Sequence, residues 1–251
     1  MLELNRIYNM DCLEGMKRIP AGSVDVIATD PPYGIDYQSA RRADKEKRHK
    51  KILNDKSPFI WFLYDAFKVL KDDGCILVFC RWDTQEAFKH ALEWAGFTVK
   101  SQIIWDREHH GMGDLSGSPS PCHDVIWFAV KGKYKLPYKR PKDVVRSKRL
   151  SGEQLTHPNE KPVDLMEQLI TSYAKEGEVV LDPFMGSGTT AIACINTNRS
   201  FIGFELDKHY CDIANERISE TTSNQIELPE IERNVPQRQF EWLDELLGVG
   251  K

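Results

Sequence analysis

Val179-Val180-Leu181-Asp182-Pro183-Phe184-Met185-Gly186-Ser187-Gly188-Thr189-Thr190 reads as a buried strand, a tight turn and the start of a helix. The apolar run before Asp182 is short, and the proline after it cannot carry a strand onward. Gly186 and Gly188 let the backbone approach a ligand closely. A helix that starts among Ser and Thr caps exposes free N–H groups. Such a turn suits a dinucleotide pyrophosphate, a phosphate or the carboxylate of an amino acid.

The next strand narrows this choice. Phe201-Ile202-Gly203-Phe204-Glu205 ends in an acid 17 residues after Gly188, where a carboxylate can accept both hydroxyls of a ribose. NAD and S-adenosylmethionine both meet that condition. The spacing is not G-x-G-x-x-G, because Ala191 stands three places after Gly188. Asp182 would repel a phosphate, yet it can pair with the ammonium of a methionine moiety.

Outward from this turn, strands are expected over 7–10, 24–29, 75–80, 99–105, 124–130, 178–181 and 201–205. Helices are expected over 57–70, 83–95, 161–174, 188–196 and 208–219. The alternation predicts an α/β fold: a seven-stranded, mostly parallel sheet with helices on both faces. Ligands of such sheets bind at the carboxyl ends of strands. Asp11, Asp30, Asp182 and Glu205 each end or follow a strand, so four acids are expected along one edge. Residues 107–156, rich in Gly, Ser, Pro and basic side chains, read as an inserted recognition region on a catalytic domain spanning 1–220. Residues 221–251 read as an acidic tail with an amphipathic stretch at 240–247.

The strand at 24–29 runs into Asp30-Pro31-Pro32-Tyr33. Two consecutive prolines force the chain out of the sheet in an extended shape. The loop can present a carboxylate, a carbonyl and an aromatic ring, a set suited to a planar base that carries an amino group. An ordinary strand-ending turn uses the same residue types.

Together, Asp30-Pro31-Pro32-Tyr33 and the segment Asp182 to Thr190 resemble the amino-group DNA methyltransferases, in the permuted order of their beta group. His157-Pro158-Asn159-Glu160-Lys161-Pro162 is similar to the family's HPTQKP-like segment. Asn9-Met10-Asp11-Cys12 is similar to its Gly-Asp-Cys element at Asp11 only. The resemblance covers roughly 5–37 and 155–218. It implies a Rossmann-like, circularly permuted class I fold and S-adenosylmethionine as cofactor. It implies that Asp182, Phe184, Gly186, Ser187, Gly188 and Thr189 surround the methionine part and that Glu205 binds the ribose. Asp11 is implied near the cofactor adenine, and Lys161 at the closing wall of the methionine pocket, with Asp30 bordering it.

The implied reaction is direct methyl transfer to an exocyclic amine of a base flipped from duplex DNA. Asp30 and the Pro31 carbonyl would accept the two N–H bonds, and Pro32 and Tyr33 would shape the base site, with Tyr33 stacking on the ring. No metal and no covalent intermediate are required. Family members with serine in place of Asp30 more often act on cytosine N4, so adenine N6 is implied, with cytosine N4 as the alternative. An RNA methyltransferase, an NAD-dependent oxidoreductase and a non-catalytic DNA-binding module are less favoured. Pro121-Cys122 is similar to the thiolate motif of ring-carbon methyltransferases. It precedes a strand, however, and is therefore expected at the wrong edge of the sheet.

The 251 residues are 41% hydrophobic, enough for one sizeable core. The N-terminus lacks a signal-peptide layout, no apolar run is long enough to cross a bilayer, and the scattered cysteines show no CxxC pair. A cytoplasmic protein is expected. The net charge of −4 is unevenly spread. Residues 41–51 carry +5 and residues 131–149 carry +8, so the remainder holds −17. Solvated loops often carry such runs, but two of them around the Asp30 half suit a phosphate backbone. Arg41, Arg42, Lys47 and Arg48 are expected on a lid over DNA. His109, His110, Ser116, Ser118, Lys133, Lys139, Arg140 and Arg146 are candidates for contacts with bases or phosphates. Double-stranded DNA is the expected partner, and a homodimer and a cognate restriction endonuclease are further candidates.

Overall fold

The computed structural model describes residues 2–34, 57–110, 116–150 and 160–227. The expected lid residues Arg41, Arg42, Lys47 and Arg48, the segment His157 to Asn159 and the stretch 240–247 lie outside them.

The described chain forms one sheet with strands β1 (Arg6–Asn9), β2 (Val24–Thr29), β3 (Leu70–Cys80), β4 (Thr98–Asp106), β5 (His123–Val130), β6 (Val144–Arg146), β7 (Val179–Asp182) and β8 (Ser200–Glu205). Their order across the sheet is β1-β8-β7-β2-β3-β5-β4-β6. The seven expected strands are present, and β6 makes an eighth. All neighbours pair in parallel except β5, which runs antiparallel to both β3 and β4.

The helices are α1 (Cys12–Met16), α2 (Phe62–Val69), α3 (Gln85–Ala95), α4 (Val163–Tyr173), α5 (Thr189–Asn196) and α6 (Lys208–Glu227). They cover both faces of the sheet. Successive residues of β5 show this: the Trp127 indole donates to the Gln85 carbonyl in α3 at 2.9 Å, while the Phe128 ring packs on Tyr173 of α4 at 4.9 Å. A sheet covered on both sides needs apolar residues at successive positions. Residues 75–80 of β3 are accordingly all buried.

Several boundaries moved for local reasons. α2 starts at Phe62 instead of 57, because the preceding residues bind the Asp30 loop. The Phe59 N–H donates to the Pro32 carbonyl at 3.0 Å, and Pro58 bridges to Tyr33. α1 was not expected; Asp11 caps it by accepting from the Leu13 N–H at 2.8 Å. α6 continues to Glu227, eight residues beyond 219. Within 107–156, residues 123–130 form a strand between β3 and β4, part of the sheet itself and not of an excursion from it.

The edge assigned to Pro121-Cys122 requires correction. Because β5 is antiparallel, its first residue pairs with the last residue of β4 (His123 with Asp106), and the Arg107 N–H donates to the Cys122 carbonyl at 2.9 Å. Cys122 therefore lies on the same edge as the ends of the parallel strands, where it is exposed. Among the described residues, no helix is long and apolar enough to cross a membrane.

Candidate active site

The halves of the chain meet where β2 pairs with β7, Val26 beside Val180 and Ile27 beside Leu181. This single pairing brings Asp30 and Asp182 to one sheet edge. Thr29, the last residue of β2, donates its hydroxyl to Asp182 Oδ1 at 2.7 Å. The Phe184 N–H donates to the same oxygen at 3.0 Å, and the Thr190 hydroxyl to Oδ2 at 2.5 Å. Burial nevertheless dominates and pushes the Asp182 carboxyl up to about 6.

The glycine turn is shaped by its neighbours. Gly188 has φ +89°, and a Cβ there would lie 2.9 Å from the Ala214 methyl of α6. Gly188 is also the N-cap of α5, and no side chain caps that helix. The expected Ser and Thr caps are therefore absent: the Thr190 hydroxyl serves Asp182 instead. Glu205 Oε2 accepts from the Gly186 N–H at 2.9 Å and Oε1 from the Asp207 N–H at 2.8 Å. One bond per oxygen leaves acceptor capacity for a ribose diol. Burial raises the Glu205 carboxyl above its usual range.

Asp30 and Lys161 form an ion pair across the mouth of this turn, through Asp30 Oδ2. Tyr33 donates its hydroxyl to Asp30 Oδ1. The Tyr33 ring is buried and meets Phe88 of α3 edge-on at 6.5 Å. The ring expected to stack on a base thus faces inward in this structure. Burial is the largest influence on Asp30 and raises its pKa, with Lys161 and Tyr33 opposing.

Asp30, Lys161, Asp182, Phe184, Ser187 and Thr189 line one cleft, with a cavity volume of about 60 Å³. Gly186 borders it, and Gly188 and Glu205 attach through the turn. Phe184 closes one side with edge-on contacts to Phe62 at 5.0 Å and Phe59 at 5.7 Å. Asp11 stands beyond β1, whose last residue Asn9 pairs with Glu205. Sequence reasoning missed Thr29, Phe79, Glu160, Thr190 and Arg217. Arg217 of α6 donates to the Ser187 carbonyl at 2.7 Å and its hydroxyl at 3.1 Å, and pairs with buried Glu160 at 2.8 Å. The acid before Lys161 and a lone arginine in α6 gave no local sign of this.

Of the expected DNA contacts, Arg146 ends β6 at the active-site edge, alongside Asp106, with which it pairs at 3.4 Å. His109 and His110 follow β4 at the same edge and are exposed, as are Ser116 and Ser118. Lys133 follows Val130, at the opposite end of the sheet. Lys139 and Arg140 are exposed on the segment that leads from there to β6.

A family model for DNA methylases, the N6/N4 group, matches residues 24–216. The chain belongs to this family of DNA amino-methyltransferases. It is 31% identical to the protein YubD of Escherichia coli (strain K12), over 86% of this chain and 91% of that protein. The crystal structure of the M1.HpyAVI–SAM complex is 30% identical and covers 84% of this chain and 98% of its own, with TM-score 0.64. PvuII DNA methyltransferase (cytosine-N4-specific) is 18% identical, covers 87% of this chain and 91% of its own, and shares the fold with TM-score 0.66.

Proposed function

We propose that this DNA methyltransferase acts on the N6 amine of adenine in duplex DNA. The junction of β2 and β7, which sets the acceptor loop of Asp30 beside the cleft of Asp182, carries the reading of amino-group transfer, and the aspartate at position 30, where cytosine-N4 members of the family more often have serine, favours adenine. S-adenosylmethionine is the cofactor, and when bound it supplies an electrophilic methyl group on a sulfonium. Asp182, Glu205 and the glycine turn fit its ammonium, ribose and carboxylate by the chemistry of their donors and acceptors.

An exocyclic amine is a poor nucleophile because its lone pair is delocalised into the ring. Asp30 and the Pro31 carbonyl accept its two N–H bonds, which favours a pyramidal nitrogen with its lone pair aimed into the cleft. These bonds strengthen as positive charge builds on nitrogen, the differential binding that lowers a barrier. Asp30 also stands ready to take the proton that the methylated amine sheds. Tyr33 must turn out of its buried position for the base to enter, which frees Oδ1 of Asp30 and presents the ring for stacking.

The first test is Asp30→Ala. It is expected to abolish methyl incorporation from labelled cofactor into DNA while S-adenosylmethionine still binds in calorimetry. Near-normal incorporation would remove Asp30 from the mechanism. Mass spectrometry of nucleosides from DNA methylated by the normal enzyme is expected to give 6-methyladenine. Recovery of 4-methylcytosine would assign the chain to the other amine.

A further inference from the structure

Asp30 must be ionised to do what is proposed for it, and its surroundings oppose that charge. Its side chain is 20% exposed. The groups acting on it come from several elements: Tyr33 of its own loop, Asp124 of β5, Asp182 of β7, Cys80 of β3, and Lys161 ahead of α4. Burial keeps Tyr33 and Cys80 neutral by raising both. Asp124 and Asp182 repel a charge on Asp30. Of this set Lys161 alone is positive.

The lysine is built into its place. Its side chain is 11% exposed, with the ammonium 5.2 Å from the centre of the Phe79 ring and 5.8 Å from that of Tyr33. Glu160, the residue before it, is tied by its ion pair to Arg217 of α6, and Pro162, the residue after it, caps α4. A long flexible side chain is thereby fixed at both flanks of its backbone and between two rings. Fixing it removes most of the entropy that normally weakens a lysine ion pair.

We propose that Lys161 is a positioning residue on the methyl-acceptor side of the site: it holds Asp30 as a carboxylate and engages Oδ2, so that Oδ1 is the oxygen offered to the incoming amine. This differs from a role in closing the methionine pocket, and it rests on Asp30 being the amine acceptor. Tyr33 guards Oδ1 until the base arrives, and Lys161 keeps Oδ2 throughout. The approach of the amine is therefore confined to one side of Asp30.

The test is the pH profile of kcat/KM for DNA at saturating cofactor, for the normal enzyme, Lys161→Met and Lys161→Arg, with cofactor Kd measured alongside by calorimetry. An opposite charge at this range lowers a carboxyl by about 1–3 units. Lys161→Met is expected to move the acidic limb to higher pH by at least about 1 unit, so its activity deficit grows roughly tenfold between high and low pH. Lys161→Arg is expected to restore the limb, and cofactor Kd is expected to stay close to normal in both. An unmoved acidic limb overturns the proposal. So does a large loss of cofactor affinity with the limb unmoved, which would return Lys161 to the methionine pocket. Retained cofactor binding also reports that the variant is folded, and Lys161→Gln carries the same reading if the methionine variant is not. Failure of the underlying reading looks different: Asp30→Ala would then stay active whatever Lys161 does.

Discussion

Asp182 illustrates how a single side chain ties stability to chemistry. Its hydrogen bonds to Thr29, Phe184 and Thr190 favour the charged form, yet burial outweighs them and its pKa rises from 3.8 to about 6. The folded state thus holds the proton more tightly than the unfolded chain. The stability this group contributes is full below pH 3.8 and is lost as pH rises through about 6. Its upper bound is about 3 kcal/mol, at about 1.4 kcal/mol per pKa unit. Asp182→Asn keeps the shape and carries no charge. It is expected to flatten the fall in melting temperature between pH 4 and pH 6.5 and to stand above the normal protein at pH 7.5. Parallel melting curves across that range would contradict the assignment. Asp30 and Glu205 shift in the same direction, so part of the slope should remain. The acid at the end of β7 was legible in the sequence from its place after an apolar run. Its partner Thr29 stands 153 residues away and was not. Tyr33 was legible as an aromatic at a strand end, but its inward rotamer depends on Phe88 and Asp30 and leaves no mark on local sequence.

At the scale of elements, the strands were the readable part, because a sheet buried on both faces needs continuous apolar runs. β6 and α1 escaped notice because three and five residues are too few to show a period. The direction of β5 was unreadable for another reason. A strand's sequence does not record which way it runs; pairing with β3 and β4 decides it, and with it the position of Cys122. Helix α6 shows the same dependence on distant partners. Arg217 links it to the glycine turn and, through Glu160, to the segment that holds Lys161. The Glu160 side chain is 4% exposed, so removal of Arg217 takes a compensating cation from a buried carboxylate. Arg217→Met is expected to cost about 3 kcal/mol of stability in urea unfolding and to weaken cofactor binding. Combining it with Glu160→Gln should recover much of the stability, because the buried side chain then carries no charge in need of a cation. Additive losses in that double-mutant cycle would mean that the two residues act independently.

For the whole molecule, the relation between charge and sheet direction sets where DNA can lie. The chain is acidic overall, yet residues 131–149 carry +8. The fold divides that run between the two ends of the sheet. Arg146 reaches the edge that carries Asp30, whereas Lys133 leaves β5 at the opposite end. A duplex whose base enters the Asp30 cleft must pass along the first edge, within reach of Arg146 and His109. Arg146 pairs with Asp106 at 3.4 Å, but its side chain is 74% exposed. Such a surface pair is worth little and yields readily to a phosphate. Each phosphate contact adds about one unit to the slope of binding against salt. Arg146→Gln is therefore expected to weaken DNA binding at low salt and to reduce that slope by about 1. Lys133→Gln, which removes the same charge from the far end, is expected to leave affinity and slope near normal. Fluorescence anisotropy of a labelled duplex at several salt concentrations measures both. Equal effects from the two substitutions would mean that the duplex is held by the summed charge of the segment and not along the active-site edge.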